Sequence, residues 1–84
     1  RRSVDGSRAG EAVKLIERAI AIQPNIGTFH LNLASAYLTL RRIDDTIAEA
    51  EKAIALDPVL AAKGYHTAGL AFGEAGQLVG GEIF

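Results

Sequence analysis

Glu17-Arg18-Ala19-Ile20-Ala21-Ile22-Gln23-Pro24 returns, 34 residues on, as Glu51-Lys52-Ala53-Ile54-Ala55-Leu56-Asp57-Pro58. Five of the eight residues are identical, and Arg/Lys and Ile/Leu are near-equivalents. A fixed period of this length means stacked supersecondary units, none able to bury its apolar face alone. The spacing therefore predicts a repeat module, a kind of molecule that holds other proteins instead of doing chemistry.

Outward from the octets, four helical segments are expected. The first runs from about Ala9 to Ile22, with Ala12, Leu15, Ile16, Ala19 and Ile20 as a 3,4-spaced stripe that Val13 and Ile22 widen. Pro24 stops it, because the residue before a proline is pushed out of the helical region. The second runs from about Gly27 to Leu40, with Asn25 as its N-cap and Leu33, Ala36, Tyr37 and Leu40 on one face. Arg41 and Arg42 close it with cations at the negative end of the helix dipole. The third begins near Asp44, whose carboxylate caps the first turn, and carries Ile47, Ala50, Ala53 and Ile54 inward to Pro58. A gap of about three residues between the second and third helices forces an antiparallel hairpin.

The fourth helix is expected from Val59 or Ala61 to Ala75, with Gly76 as a left-handed C-terminal cap. Gly64, Gly69 and Gly73 inside it each cost about 1 kcal/mol relative to alanine, which implies a packing reason for them. Beyond Gly76, Leu78 to Phe84 is apolar but broken by Gly80-Gly81, so at most a short helical turn is expected, with Ile83 or Phe84 docking on the preceding pair.

Eighty-four residues make one small domain that buries about 60% of its unfolded surface. Only five residues are aromatic, so the core is built from Ala, Ile, Leu and Val. A net charge of −1 with both signs mixed argues against nucleic acid as a partner. With no cysteine there is no disulfide and no cysteine-ligated metal. Ala19 to Leu40 lacks formal charge over 22 residues, roughly a bilayer span. Pro24, three amides and His30 within it would strand polar groups in lipid, so no membrane association is expected. Opening on Arg1 without a signal peptide, the chain reads as a processed or excised piece, cytoplasmic in location.

The middle unit, His30-x-x-Leu33-Ala34-x-x-Tyr37, then Thr46-x-x-x-Ala50, then Pro58, resembles the tetratricopeptide repeat family. His30 stands where the family prefers Trp, Ala34 where it prefers Gly, and Ala50 where it prefers an aromatic residue. The next unit reads Tyr65-x-x-Ala68-Gly69-x-x-Phe72 at a period of 35, and the first keeps only Ala12-x-x-x-Ile16 and Pro24. The resemblance covers residues 7 to 76. It implies a single all-α domain of antiparallel helix hairpins stacked as a right-handed superhelix. The second helix of one repeat falls at 7–24, a full repeat at 25–58 and a partial repeat at 59–84. It also places the small residues Ala34 and Gly69 at the closest helix–helix approach.

In the resembling family the first helix of each hairpin lines a concave groove. Carried over by register, that face holds Thr28, Leu31, Asn32, Ser35, Leu38 and Thr39, joined by Lys63, His66, Thr67, Leu70 and Glu74. Its amides, hydroxyls, single Lys and leucines suit an extended peptide or a partner helix. Some family members clamp a chaperone's C-terminal carboxylate. Asn32 and Lys63 look like two members of that clamp, whereas Thr67 stands where it needs a cation.

Chemistry is otherwise absent from the pattern. His30 and His66 are 36 residues apart with no second ligand at helical spacing, so no metal site is expected; by register His30 is half-buried and His66 faces the groove. Asp44 and Asp45, adjacent on a helix, point about 100° apart and cannot converge on one bond. Ser3, Ser7 and Ser35 have no identifiable activating histidine, and the run from Gly69 to Gly81 lacks a phosphate-cradling pattern. The expectation is no enzyme and no cofactor, but an interaction scaffold or a targeting segment of a larger enzyme such as a transferase. The unpartnered first helix, with Leu15 and Ile16, and an apolar tail at Leu78, Val79, Ile83 and Phe84 further predict end-to-end self-association.

Overall fold

A computed structural model describes the backbone of residues 7–80 and the side chains of residues 8–73. These residues form four α-helices, α1 (Ser7–Ile22), α2 (Gly27–Thr39), α3 (Ile43–Leu56) and α4 (Ala61–Gly80). A 3-10 turn, Pro58–Leu60, leads into α4, and no strand occurs among the described residues. Asp57 caps that turn, its Oδ1 accepting from the Val59 N–H at 3.2 Å. The Ala53 carbonyl and Asp57 Cβ sit where a side chain on Gly27 would point, so the start of α2 lies beside the end of α3. That places the two helices antiparallel, as the short gap requires. Gly64 near the start of α4 meets Ile54 near the end of α3, and Val13 of α1 meets Tyr37 of α2, so each successive pair reverses direction. The Cα framework measures 44 × 37 × 15 Å, thin enough along one axis that helices keep exposed faces.

The core is small. Val13, Leu33 and Tyr37 form its buried centre, with Ile16, Ile20, Ala36 and Leu40 packed around it. Ala34, Ala50, Ala53 and Ala71 are sealed from solvent, as small residues must be where backbones approach. Thr46 is sealed too, its hydroxyl donating to the Arg42 carbonyl at 2.8 Å. In α1 the buried line runs through Val13, with Leu15 and Ile22 exposed. The expected stripe was too wide for one neighbour: among the described residues α2 is the main cover of α1, and Leu15 and Ile22 fall outside that contact.

The helix ends depart from expectation in an instructive way. Neither Asn25 nor Asp44 is a cap. Ile26 occupies the N-cap of α2 and Arg42 that of α3, and neither makes a side-chain cap bond. Tertiary contact sets the first boundary, because α2 starts where Gly27 fits within 3.0 Å of the Ala53 carbonyl and Asp57 Cβ. Asp44 and Asp45 lie in the first turn of α3, where carboxylates face the positive end of the dipole. The turn between α2 and α3 closes through backbone. Arg41 takes a left-handed φ of 63°, its N–H donates to the Leu38 carbonyl, and the Arg42 N–H donates to the Tyr37 carbonyl. This is the paired bonding of a Schellman motif, with arginine where glycine is usual.

Gly76 does not cap α4, which runs on to Gly80. No proline follows Gly76 in the sequence, and the helix continues through it for four more residues. Among the described residues no helix approaches Gly69: a Cβ on it or on Gly73 meets nothing within 4 Å. Gly64 is the close-approach glycine instead, since a Cβ there would sit 2.7 Å from the Ile54 side chain. The docking expected of Ile83 and Phe84 lies outside the described residues, as do the side chains of Glu74, Leu78 and Val79.

Candidate functional site: a groove between the second and fourth helices

An open cavity of about 460 Å³ lies between α2 and α4. Thr28, Leu31, Asn32 and Ser35 line it from α2; Lys63, His66 and Thr67 line it from α4. On each helix the residues recur at 3,4 spacing, so one helical face supplies each wall. Three positions recur on the two walls, because adding 35 to Thr28, Leu31 and Asn32 gives Lys63, His66 and Thr67. Leu60 and Ala62 complete the lining from the 3-10 turn and the first turn of α4. They escaped sequence reasoning, although the extra residue between Pro58 and Tyr65 signalled an altered linker there.

Leu31 and Thr67 form the floor and are buried, whereas Thr28, Asn32, Ser35, Lys63 and His66 are exposed at the walls. The Thr67 hydroxyl donates to the Lys63 carbonyl at 3.0 Å, leaving its oxygen able to accept. The Asn32 amide, the Lys63 ammonium and the His66 ring thus face an open, partly apolar space, with Lys63 the lone formal charge in its lining. Such a site offers donors and acceptors to a main chain and an apolar floor to a side chain. Leu38, Thr39 and Leu70 do not line the cavity, and the Thr39 hydroxyl instead donates to the Ser35 carbonyl at 3.2 Å.

His30 lies on another face of α2, inside the hairpin. Its Nδ1 is 2.7 Å from Glu49 Oε1 and its Nε2 is 3.1 Å from the Pro24 carbonyl oxygen. Both ring nitrogens thus lie within hydrogen-bond distance of an oxygen, one on α3 and one on the loop before α2. The carboxylate partner, absent at helical spacing in the sequence, comes from α3 across the hairpin. Lys52 Nζ donates to the other Glu49 oxygen at 3.2 Å. No group of three or more metal-ligating side chains occurs among the described residues.

Beside the hairpin turn, the Arg42 guanidinium carbon sits 4.5 Å from the centre of the Tyr37 ring and its nitrogens hold Asp45 at 2.7 and 2.8 Å. The Tyr37 phenol is pushed up from its ordinary 10.0, first by burial and then by the nearby Glu17 carboxylate, while Arg42 pulls it the other way. No described helix is long and apolar enough to cross a membrane. No protein-family model matches this sequence, and no solved structure gives a significant match.

Proposed function

We propose that this chain is a tetratricopeptide-repeat-like interaction scaffold, its hairpins winding as a right-handed superhelix, and that the groove between α2 and α4 holds an extended peptide or partner helix. The observation that carries the reading is the meeting of register-equivalent residues from two helices in one open cavity. A groove with an apolar floor at Leu31 and polar walls at Asn32, Lys63 and His66 accepts a side chain below and main-chain groups above. Cavities of several hundred Å³ are the size class that takes a few residues of a ligand.

The test is a pull-down and peptide-array titration comparing the intact groove with Asn32→Ala/Lys63→Ala. Both side chains are exposed, so the double variant keeps its fold and loses affinity by about tenfold or more. Equal capture of every peptide by the two proteins would remove the groove from the function.

A further inference from the structure

Three residues of α2 and three of α4 share the same register and have opposite surroundings. His30, Ala34 and Tyr37 correspond, at a shift of 35, to Tyr65, Gly69 and Phe72. His30 is 8% exposed and Tyr65 67%; Tyr37 is 8% exposed and Phe72 63%. The first set is covered by α3, through Glu49 on His30 and Arg42 over Tyr37. Nothing lies within 4 Å of a Cβ on Gly69, so among the described residues the corresponding face of α4 is open.

The helix that would cover this face exists elsewhere in the same sequence. At a shift of 34, Arg42, Glu49 and Ala53 of α3 become Arg8, Leu15 and Ala19 of α1. The α1 face bearing Arg8 and Leu15 is exposed, Leu15 at 61%. Its opposite face, with Val13, Ile16 and Ile20, is spent on α2, as Ile54 of α3 is spent on α4.

We propose that α1 of a second copy of this chain seats on the open face of α4, in the way α3 seats on α2. The chemistry of the paired positions matches. Where the hairpin joins His30 to Glu49, the intermolecular contact joins Tyr65 to Leu15, so a polar pair is replaced on both sides by an apolar one. Where Arg42 stacks on the Tyr37 ring, Arg8 reaches the Phe72 ring, a cation facing an aromatic face. Where Ala34 is sealed within the hairpin, Gly69 leaves room for a backbone.

The contact is heterologous, joining one end of each copy to the other end of the next. Assembly therefore proceeds beyond the dimer, as an open chain or a closed ring, instead of stopping at a two-fold pair.

Sedimentation of the 84-residue chain from about 1 µM to about 1 mM tests this. The expected result is a weight-average mass that climbs past two copies. Leu15→Asp breaks one end and Phe72→Asp the other; each variant alone loses association by about tenfold or more while keeping its helical circular dichroism. Mixed in equal amounts they restore association through the one intact pair of faces and stop at a 1:1 dimer. Should Leu15→Asp unfold, Arg8→Glu replaces it at the same end. A wild-type chain that stays monomeric, a mixture of folded variants that stays monomeric, or single variants that associate like wild type each overturn the proposal.

Discussion

Ala53 and Ala19 hold the same place in the repeated octet, yet Ala53 is sealed and Ala19 only half-buried. The difference is the neighbourhood. Helix α3 packs against α2 on one side and α4 on the other, whereas among the described residues α1 has its main contact with α2. Residue type and local helix are nearly identical in the two octets, so burial here belongs to position in the stack and not to the sequence of the helix. The same contrast separates the covered hairpin α2–α3 from the open side of α4. Each substitution below puts one residue of the covered hairpin, or of the α3–α4 contact, against a counterpart at an end.

The largest effect is expected from volume. Ala53→Leu forces three extra carbons into a site where the Ala53 carbonyl already lies 3.0 Å from the position of a Gly27 Cβ. The cost is about 3 kcal/mol, the upper part of the overpacking range. Ala19→Leu, half exposed on α1, costs under about 1 kcal/mol. Urea midpoints of the two variants measure the gap, and equal midpoints erase the distinction between middle and end.

Removing the hairpin's polar pair comes next. His30→Ala leaves the Glu49 carboxylate, 12% exposed at its side chain, with Lys52 alone. Stranding a buried acceptor costs about 2 kcal/mol. Tyr65→Ala, at the register-equivalent place on the open face, changes the stability of the monomer by about 0.5 kcal/mol or less. Thermal melts at low protein concentration, below any association, read this pair without interference.

The glycines of α4 sharpen the comparison within one helix. Gly69→Ala stabilises by about 1 kcal/mol, because the alanine gains helix propensity and its Cβ meets open space. Gly64→Ala makes the same propensity gain, but its Cβ must displace Ile54 carbons lying 2.7 Å away. The two substitutions should shift the melting midpoint in opposite directions. A shared upward shift would mean that Ile54 moves aside at no cost.

How much of this was legible beforehand depends on whether an answer is local. The octets, the two prolines and the three-residue gap are local, and they predict four helices and the hairpin correctly. The groove residues 28, 31 and 32 with 63, 66 and 67 came from the family resemblance at a shift of 35, not from the 34-residue octet period; the structure puts these six around one cavity. What failed needed a neighbour. Asn25 has the right side chain to cap α2, but the fit of Gly27 against α3 fixes where the helix begins. Gly69 has the right residue type for a close approach, but no helix among the described residues meets it. The bond between His30 and Glu49, 19 residues apart, depends on the two helices lying side by side, and helical spacing within one segment cannot show that.

The smallest effect concerns a proton that α2 has and α4 lacks. Tyr37 corresponds in register to Phe72, so Tyr37→Phe makes the covered position chemically like the open one. In the folded chain the phenol is raised above 10.0, chiefly because burial disfavours the phenolate; Glu17, Asp45 and Glu49 add to the rise and Arg42 opposes it. The unfolded chain therefore releases this proton at lower pH than the folded one. Between the two pKa values the unfolded state binds fewer protons, so stability falls as pH increases. The contribution is whole below 10.0 and is lost as pH climbs through the folded value. At neutral pH, Tyr37→Phe removes only a long 3.5 Å hydrogen bond to Glu17 and costs about 0.5 kcal/mol. Urea midpoints of wild type and variant, measured from about pH 7 to about pH 11, should converge as the wild type loses its alkaline margin. Parallel curves across that range would mean the phenol titrates alike in both states, and that the covering of Tyr37 by its neighbours is looser than its burial implies.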